Sequence, residues 1–268
     1  MKTRLDVLLT EKGFFNSREK AKTAIMAGLV YVNGQISDKA GTAIPEDAII
    51  EVRGNDCPYV SRGGFKLEKA LETFNIDVSG FHCVDIGAST GGFTDCLLQK
   101  DAEKVYAIDS GYNQLDYKLR VDSRVVCMEK ENFRYFDPER LGEKLDFACA
   151  DVSFISLKHI FPVAVNMLKN EGSMACLVKP QFEAGREQVG KNGIVKDPEI
   201  HREVIENVIN YAKDCGLYAE SLSYSPITGG KSGNIEFLLY LKLIPSGKTI
   251  DIDQVIKEAH AAFDRKGE

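Results

Sequence analysis

Charged residues stand at three places in this 268-residue sequence where an ordinary fold would not need them. Asp151 and Lys179 follow directly on the apolar, strand-like runs Leu145–Ala150 and Met174–Val178. Glu236 lies inside an otherwise apolar run, and burying its carboxylate is costly unless the group is paired or used. Carboxylates beside a lysine can position and move protons. The ordinary alternatives are a helix cap for Asp151 and a structural ion pair for Glu236.

A glycine-rich turn is the second chemical feature. The run Phe81–Ile86 predicts a buried strand, Gly87 a tight turn and Gly91-Gly92 the start of a helix. Glycines let a ligand approach the backbone, and the N–H groups of a helix N-terminus favour polar or anionic groups. The next strand ends at Asp109, where an acid can bind both hydroxyls of a ribose. The pattern predicts a site for a nucleoside-containing cofactor.

A dinucleotide is excluded by one position in this turn. The dinucleotide fingerprint needs glycine where Ser89 stands, so that a pyrophosphate can approach. Two acids of the site also have ordinary alternatives. Asp85 could cap the turn at its strand end, and Asp109 could be a surface acid.

The elements that must position these residues alternate along the chain. Strands are predicted at 81–86, 104–109, 124–128, 145–150, 173–179, 217–224 and 234–242, and helices at 92–100, 113–120, 156–168, 199–214 and 251–265. Such alternation predicts a mostly parallel α/β sheet covered on both faces. The loop 225–233 is too short for a crossover helix, so the last two strands are predicted to be antiparallel neighbours. This outline resembles the Rossmann-like, seven-stranded S-adenosylmethionine-dependent methyltransferase fold.

The same topology brings the charged residues together. Ligands of open α/β sheets gather outside the carboxyl ends of the parallel strands, where Asp151 and Lys179 are predicted to lie. Glu236 reaches that edge because its strand runs the other way. Lys66, on a helical pattern just before the first strand, could cover the same pocket or be an ordinary surface lysine. We therefore expect these four residues beside the glycine turn.

Bulk composition limits the remaining possibilities. The formal charge is −6, so contact with nucleic acid must come from local patches. Seven cysteines without a Cys-x-x-Cys pair argue against a disulfide framework and a zinc site, and four histidines argue against a metal cluster. The sequence contains neither a signal peptide nor an apolar run of about 20 residues. It predicts a soluble cytoplasmic protein that binds no metal and no membrane.

The first 56 residues predict a separate α+β module with a local positive charge. Six basic side chains stand against three acidic ones in the first 22 residues. Thr3 and Asp6 have the spacing of a capping box, and Ser17 can cap a second helix. Asn33-Gly34 between apolar residues is a strong hairpin signal. The basic excess is either a solvated helix face or a nucleic-acid contact.

This module resembles the S4 RNA-binding domain. The resemblance is carried by Arg4-Leu5-Asp6, Ser17-Arg18, Ala21, Ile25, Gly28 and Val30-Tyr31-Val32-Asn33-Gly34. It implies that the two helices contact structured RNA, mostly through phosphate and shape. The implied contact residues are Arg4, Arg18, Lys20 and Lys22. Because Pro58 interrupts structure, we expect an S4-like domain at 1–56, a linker at 57–60, a catalytic domain at 61–244 and a helical tail at 245–268.

The large domain resembles FtsJ-like methyltransferases. Asp85 to Asp95 resembles their first cofactor motif, and the set Lys66, Asp151, Lys179 and Glu236 matches their catalytic tetrad in order and context. Together with the S4-like module, roughly residues 3–243 resemble the TlyA family of 2′-O-methyltransferases. These enzymes act on cytidine ribose in 16S and/or 23S ribosomal RNA, and they are also named hemolysins.

The resemblance implies S-adenosylmethionine as cofactor and ribosomal RNA or a ribosomal subunit as partner. The implied cofactor-binding residues are Asp85, Gly87, Ala88, Ser89, Thr90, Gly91, Gly92, Phe93, Asp109, Glu129, Asn132, Phe133 and Asp151. Arg62, in Ser61-Arg62-Gly63-Gly64, is added to the RNA contacts. Two other functions stay open: an RNA-binding ribosome-associated factor without catalysis, and a membrane-active hemolysin.

A hypothesis for the tetrad makes Lys179 the base that accepts the proton of the ribose hydroxyl. Asp151 and Glu236 would position Lys179, and Lys66 would orient the hydroxyl. An ordinary lysine has a pKa near 10.4 and would need a fall of about 3 units, roughly 4 kcal/mol, to be neutral at pH 7. A lysine that stays charged and only orients the hydroxyl is therefore the open alternative.

Overall fold

The computed structural model describes residues 2–15, 17–26, 28–52, 57–229 and 233–264. The chain divides into two compact units, a small unit Met1–Pro58 and a large unit Tyr59–Glu268. Some predicted segments extend outside the described residues. These are 53–56 at the end of the predicted first domain, 230–232 in the predicted hairpin loop, and 265 at the end of the predicted last helix.

The small unit packs two helices beside short strands. In chain order its elements are β1 (Lys2–Arg4), α1 (Leu5–Glu11), α2 (Arg18–Met26), β2 (Val30–Val32), β3 (Gln35–Ile36), β4 (Ala43–Pro45) and β5 (Ile50–Val52). β1 pairs with β4, and β2 is the middle strand between β3 and β5. Leu5, Leu9, Ala21, Ile25 and Val30 are fully buried and form the centre of the core.

The predicted hairpin and one predicted cap are confirmed in the small unit. Asn33 and Gly34 both have positive φ, 51° and 80°, as a two-residue turn requires. Val32 pairs with Gln35 across that turn. The backbone N–H of the third residue of α2 donates to Ser17 Oγ at 3.3 Å.

The predicted capping box at the first helix is wrong. Thr3 lies in β1, where it pairs with Ile44, and its hydroxyl donates to Glu46 instead of to the helix. α1 consequently begins at Leu5 without a side-chain cap. Pairing within a strand holds Thr3 extended and directs its side chain away from the helix N-terminus.

The large unit is built on a seven-stranded sheet with the order β11-β12-β10-β9-β6-β7-β8. Its strands are β6 (His82–Ile86), β7 (Lys104–Asp109), β8 (Val125–Glu129), β9 (Leu145–Ala150), β10 (Leu168–Val178), β11 (Tyr218–Tyr224) and β12 (Phe237–Lys242). β6 to β10 pair in parallel, whereas β12 is antiparallel to both of its neighbours. The predicted fold class is confirmed.

Helices pack against this sheet. They are α3 (Gly63–Phe74), α4 (Gly92–Gln99), α5 (Tyr117–Arg120), α6 (Phe161–Ala164), α7 (Pro180–Glu183), α8 (Pro198–Asp214) and α9 (Ile252–Asp264). The core includes the fully buried side chains of Phe147, Phe161, Phe237, Leu145 and Ile86. No helix among the described residues is long and apolar enough to cross a bilayer.

Two predicted helices are wrong in length. Only Tyr117–Arg120 of the predicted helix 113–120 is helical, because the carboxylate of Glu129 accepts the backbone N–H groups of residues 113–115. The predicted helix 156–168 breaks into α6 and two flanking 3₁₀ turns. Pro162 lies in the first turn of α6, where its missing N–H is tolerated, and a longer helix through it would lose a hydrogen bond.

The last helix belongs to the core of the large unit. α9 packs against α8 and β11. Ile256 and Ala259 on α9 are 5% and 0% exposed. The segment after residue 244 therefore contributes buried apolar surface to the same core as the sheet.

A matched pair of substitutions tests this contribution. Ile256→Val removes one buried methylene and should lower the free energy of unfolding by about 1 kcal/mol. Ile244→Val makes the same change at a side chain that is 62% exposed, and we expect less than about 0.5 kcal/mol. Denaturant unfolding followed by circular dichroism measures both. Equal, small effects would mean that α9 unfolds independently of the sheet.

Candidate active site

Four charged side chains meet at the carboxyl edge of the parallel strands. Asp151 follows β9 directly and Lys179 follows β10. Glu236 immediately precedes β12, whose first residue pairs with the last residue of β10. Lys66 lies in the first half of α3. The sequence prediction that these residues lie together is thus matched by their positions; we call them the charge cluster.

Asp151 connects the two lysines of the charge cluster. Its Oδ2 lies 3.3 Å from Lys66 Nζ, and its Oδ1 lies 2.5 Å from Lys179 Nζ. Lys66 Nζ also donates to Glu236 Oε2 at 2.7 Å, and Lys179 Nζ donates to Ser153 Oγ at 3.0 Å. Both lysines and Glu236 are buried. The result is a continuous chain in which acidic and basic side chains alternate.

The pKa shifts of Lys66 and Asp151 determine the charge of these two side chains. Burial lowers the pKa of Lys66, but the charges of Asp151 and Glu236 outweigh it, so the net pKa is raised. Burial raises the pKa of Asp151, but the charges of both lysines outweigh it, so the net pKa is lowered. Lys66 is therefore a cation and Asp151 an anion at neutral pH.

Two adjoining cavities open beside the charge cluster. The first, which we call the charged cavity, has a volume of about 310 Å³. It is lined by Ser61, Arg62, Gly63, Lys66, Asp85, Gly87, Ala88, Ser89, Thr90, Gly92, Phe93, Asp151, Ser153, Lys179, Ile227 and Thr228. The second, the nucleoside cavity, has a volume of about 490 Å³. It is lined by Gly87, Ser89, Ile108, Asp109, Ser110, Gln114, Glu131, Asn132, Phe133, Asp151, Val152, Ser153, Phe154, Ile155 and Ile160.

Asp85 has one buried carboxylate oxygen without a hydrogen-bond partner among the described residues. Its Oδ2 accepts the backbone N–H and the hydroxyl of Thr94, at 2.9 and 2.7 Å. Its Oδ1 is buried and has no hydrogen-bond partner among the described residues. Burial raises the pKa of Asp85 to about 7, although the bonds from Thr94 lower it. A buried acceptor of this kind fits a positively charged ligand group.

Asp109 holds the glycine turn and faces the nucleoside cavity. Its Oδ2 accepts the N–H of Ser89 at 2.8 Å, and its Oδ1 accepts the N–H of Gly111 at 2.6 Å. Each carboxylate oxygen can accept a second bond, which leaves room for ribose hydroxyls. Gly87 has φ +83°, and a Cβ there would lie 2.8 Å from the Asp151 carbonyl oxygen. The turn therefore requires glycine where it approaches the charge cluster.

Two of the predicted cofactor residues do not line either cavity. The Cα of Gly91 faces Leu115 and Leu119, with which a Cβ would collide. The carboxylate of Glu129 is taken up by backbone N–H groups and by Arg120 Nη2 at 2.7 Å. The hydrogen bond from Arg120 is the largest influence that lowers the pKa of Glu129 to about 2. Glu129 thus holds the 113–115 loop instead of facing a ligand.

Two further residues line the cavities, although neither was named among the predicted site residues. Glu131 stands in the nucleoside cavity where Glu129 was expected, beside the predicted Asn132 and Phe133. Ser153 lines both cavities and touches Lys179. The two-residue offset arises because Lys130 has a left-handed φ of 62° and turns the chain after β8.

The predicted RNA contacts fall in both units. Arg4 and Arg18 pair with Asp6, and Lys22 Nζ lies 2.8 Å from Glu19 Oε1. Lys20 is exposed. Arg62 of the large unit lines the charged cavity.

Fold and site together define a class: an α/β methyltransferase domain joined to a small helix–hairpin unit. The family models agree, since the S4 domain model matches residues 3–50 and the FtsJ-like methyltransferase model matches residues 59–243. The chain belongs to the FtsJ-like methyltransferase family, in the TlyA and hemolysin A group.

Relatives match this chain along nearly its whole length. The protein YqxC of Bacillus subtilis is 51% identical, covering 99% of this chain and 96% of that protein. The 16S/23S rRNA (cytidine-2′-O)-methyltransferase TlyA of Mycobacterium tuberculosis is 41% identical, covering 90% of each. A solved structure from Streptococcus thermophilus is 48% identical with a TM-score of 0.79, covering 99% of this chain and 98% of that one.

Proposed function

We propose that this protein methylates the 2′-hydroxyl of a cytidine ribose in 16S and/or 23S ribosomal RNA, with S-adenosylmethionine as methyl donor. The observation that carries the proposal is the buried charge cluster, which adjoins a cavity suited to a nucleoside. The name of the TlyA relative supports the choice of ribose and cytidine. The S4 match supports RNA as the partner.

The residues of the turn fit this methyl donor. We propose that Asp85 Oδ1, which is buried and has no hydrogen-bond partner among the described residues, holds the ammonium group of the methionine part. Asp109 would accept the ribose hydroxyls, and Asn132 and Phe133 would lie beside the adenine. When bound, S-adenosylmethionine supplies a methyl group on a sulfonium cation.

We propose different roles for the two lysines of the charge cluster. Lys66 contacts two carboxylates, keeps its proton and orients the hydroxyl oxygen as a fixed cation. Lys179 contacts one carboxylate, against two for Lys66, and the hydroxyl of Ser153. We propose that Lys179, in its neutral form, accepts the proton of the ribose hydroxyl on Nζ. Asp151 holds both lysines in place and stabilises the charge that Lys179 gains.

Binding of the RNA would involve both units. Arg4, Arg18, Lys20 and Lys22 of the small unit would contact phosphates, whose negative charge dominates the affinity of such complexes. Arg62 lines the cavity that contains the charge cluster, so we propose that it binds a phosphate next to the target ribose. The partner would be a ribosomal subunit or its RNA.

Methyl transfer to isolated ribosomal subunits tests the proposal. Subunits from cells that lack the gene should accept one methyl group at a ribose when mixed with the purified protein and S-adenosylmethionine, and mass mapping should place it on a cytidine. Subunits from cells that contain the gene serve as the control, because their site is already modified. Transfer to a base, or none to either subunit, would contradict the proposal, and binding without transfer would favour a non-catalytic ribosome factor.

A further inference from the structure

Two arginines of the small unit share one buried carboxylate. The Asp6 side chain has 0% exposure, whereas those of Arg4 and Arg18 are 54% and 53% exposed. Arg4 donates from Nε to Oδ1 at 3.0 Å and from Nη2 to Oδ2 at 3.3 Å, while Arg18 Nη2 donates to Oδ2 at 2.8 Å. One buried anion thus orients two half-exposed cations.

The group formed by Asp6, Arg4 and Arg18 keeps an excess positive charge at the surface. The hydrogen bond from Arg4 is the largest influence that lowers the pKa of Asp6 to about 2, so Asp6 is ionised at neutral pH. One carboxylate balances one of the two guanidinium charges. Within the part of the chain that the structure describes, no second carboxylate pairs with Arg4 or Arg18. The pair therefore presents a net positive charge to a partner.

The shared oxygen also fixes the separation of the two guanidinium groups. Both Nη2 atoms bind Asp6 Oδ2, so they lie no more than about 6 Å apart. A guanidinium has five N–H donors in a rigid fork, and Asp6 uses only some of those on Arg4 and Arg18. The remaining donors of both groups are near enough to reach a single tetrahedral anion.

We propose that Asp6 is a positioning residue that presents Arg4 and Arg18 as a clamp for one phosphate group of the RNA. This proposal rests on the RNA-directed function proposed above. Guanidinium groups bind phosphate through paired, charge-assisted hydrogen bonds. Holding both forks in place before binding reduces the side-chain entropy lost on binding. Lys20 and Lys22 would add charge without such a fixed geometry.

Replacement of Asp6 separates this clamp from a simple charge effect. Asp6→Asn removes a negative charge, so attraction by net charge alone would tighten binding to RNA. Loss of the clamp should instead weaken binding of the full chain to the subunit that it methylates, by about tenfold at constant salt. Glu19→Gln is the matched control, because it removes an exposed acid that pairs with Lys22 in the same unit. We expect its affinity to be unchanged or slightly higher.

Thermal unfolding shows whether Asp6→Asn folds. If it does not fold, conservative variants still test whether the two arginines share one phosphate. Arg4→Lys and Arg18→Lys keep the charge and the pairing with Asp6 but lose the fork. Each single variant should weaken binding. The fold loss of affinity in the double variant should be smaller than the product of the two single fold losses, because the first substitution has already disturbed the phosphate contact that the second would weaken. A double variant whose fold loss of affinity equals the product of the two single fold losses would overturn the clamp.

Wild-type protein measured in parallel distinguishes the two proposals. Wild-type protein that methylates and binds its subunit, while Asp6→Asn binds equally well or more tightly, would overturn the clamp and leave the methyltransferase function intact. Wild-type protein that binds neither subunit would overturn both.

Discussion

Replacing Lys179 by Met should slow methyl transfer by about a thousandfold while leaving cofactor affinity unchanged. Methionine keeps an unbranched apolar stem as far as Cε but lacks Nζ, so the proposed base is lost. General base catalysis is typically worth 10²–10⁴-fold, which sets the expected size. Asp151 keeps its pairing with Lys66, so the buried carboxylate is not left without a cation. Single-turnover transfer of labelled methyl to saturating subunits measures the rate.

A surface lysine provides the control for this variant. Lys213→Met makes the same chemical change at an exposed position of α8 and should leave the rate unchanged. Equal rates for Lys179→Met and wild type would exclude Lys179 from the reaction. The pH dependence of the wild-type rate then separates base from charged positioning group. A rate that rises with pH supports the base, whereas a flat profile from pH 6 to 9 contradicts it.

Much of this architecture could be predicted because it follows from local patterns. Alternating strands and helices gave the parallel sheet, and the short loop before Glu236 gave the antiparallel partner of β10. The proximity of Asp151, Lys179 and Glu236 followed from topology, whereas the helical pattern around Lys66 left open whether it faced the same pocket. Their proximity needed no knowledge of side-chain conformation, because the pairing of adjacent strands fixes it.

The remaining features depend on backbone conformations that residue type does not signal. Ser89, Lys130 and Phe154 all have positive φ, from 49° to 63°, although none is glycine. The turn at Lys130 places Glu131, instead of Glu129, in the nucleoside cavity. The pairing of Asp6 with Arg18 likewise joins the two helices of the small unit across twelve residues. Tertiary packing determines these backbone conformations and this side-chain pairing. A strand or helix pattern in the sequence does not indicate them.

Affinity for S-adenosylmethionine should rise with pH up to about pH 7 and then level off. Burial raises the pKa of Asp85 to about 7, so part of the ligand-free protein carries a protonated Asp85 at neutral pH. A positively charged ammonium group favours the ionised form, and binding below pH 7 must therefore release a proton. The affinity should fall about tenfold for each pH unit below 7. Calorimetric titrations in buffers of different ionisation heat measure both the affinity and the released proton.

Asp85→Asn is the control for this prediction. It should weaken cofactor binding and stabilise the ligand-free protein. The amide is neutral throughout, so its cofactor affinity should be independent of pH and about a hundredfold weaker at pH 8. The stability effect has the other sign. The pKa of Asp85 is raised on folding from 3.8 to about 7, so its contribution is favourable below about pH 4 and is lost as pH rises to 7. The ligand-free variant should consequently gain stability over wild type between pH 4 and 7, and wild-type affinity that does not change from pH 6 to 8 would contradict the role of Asp85.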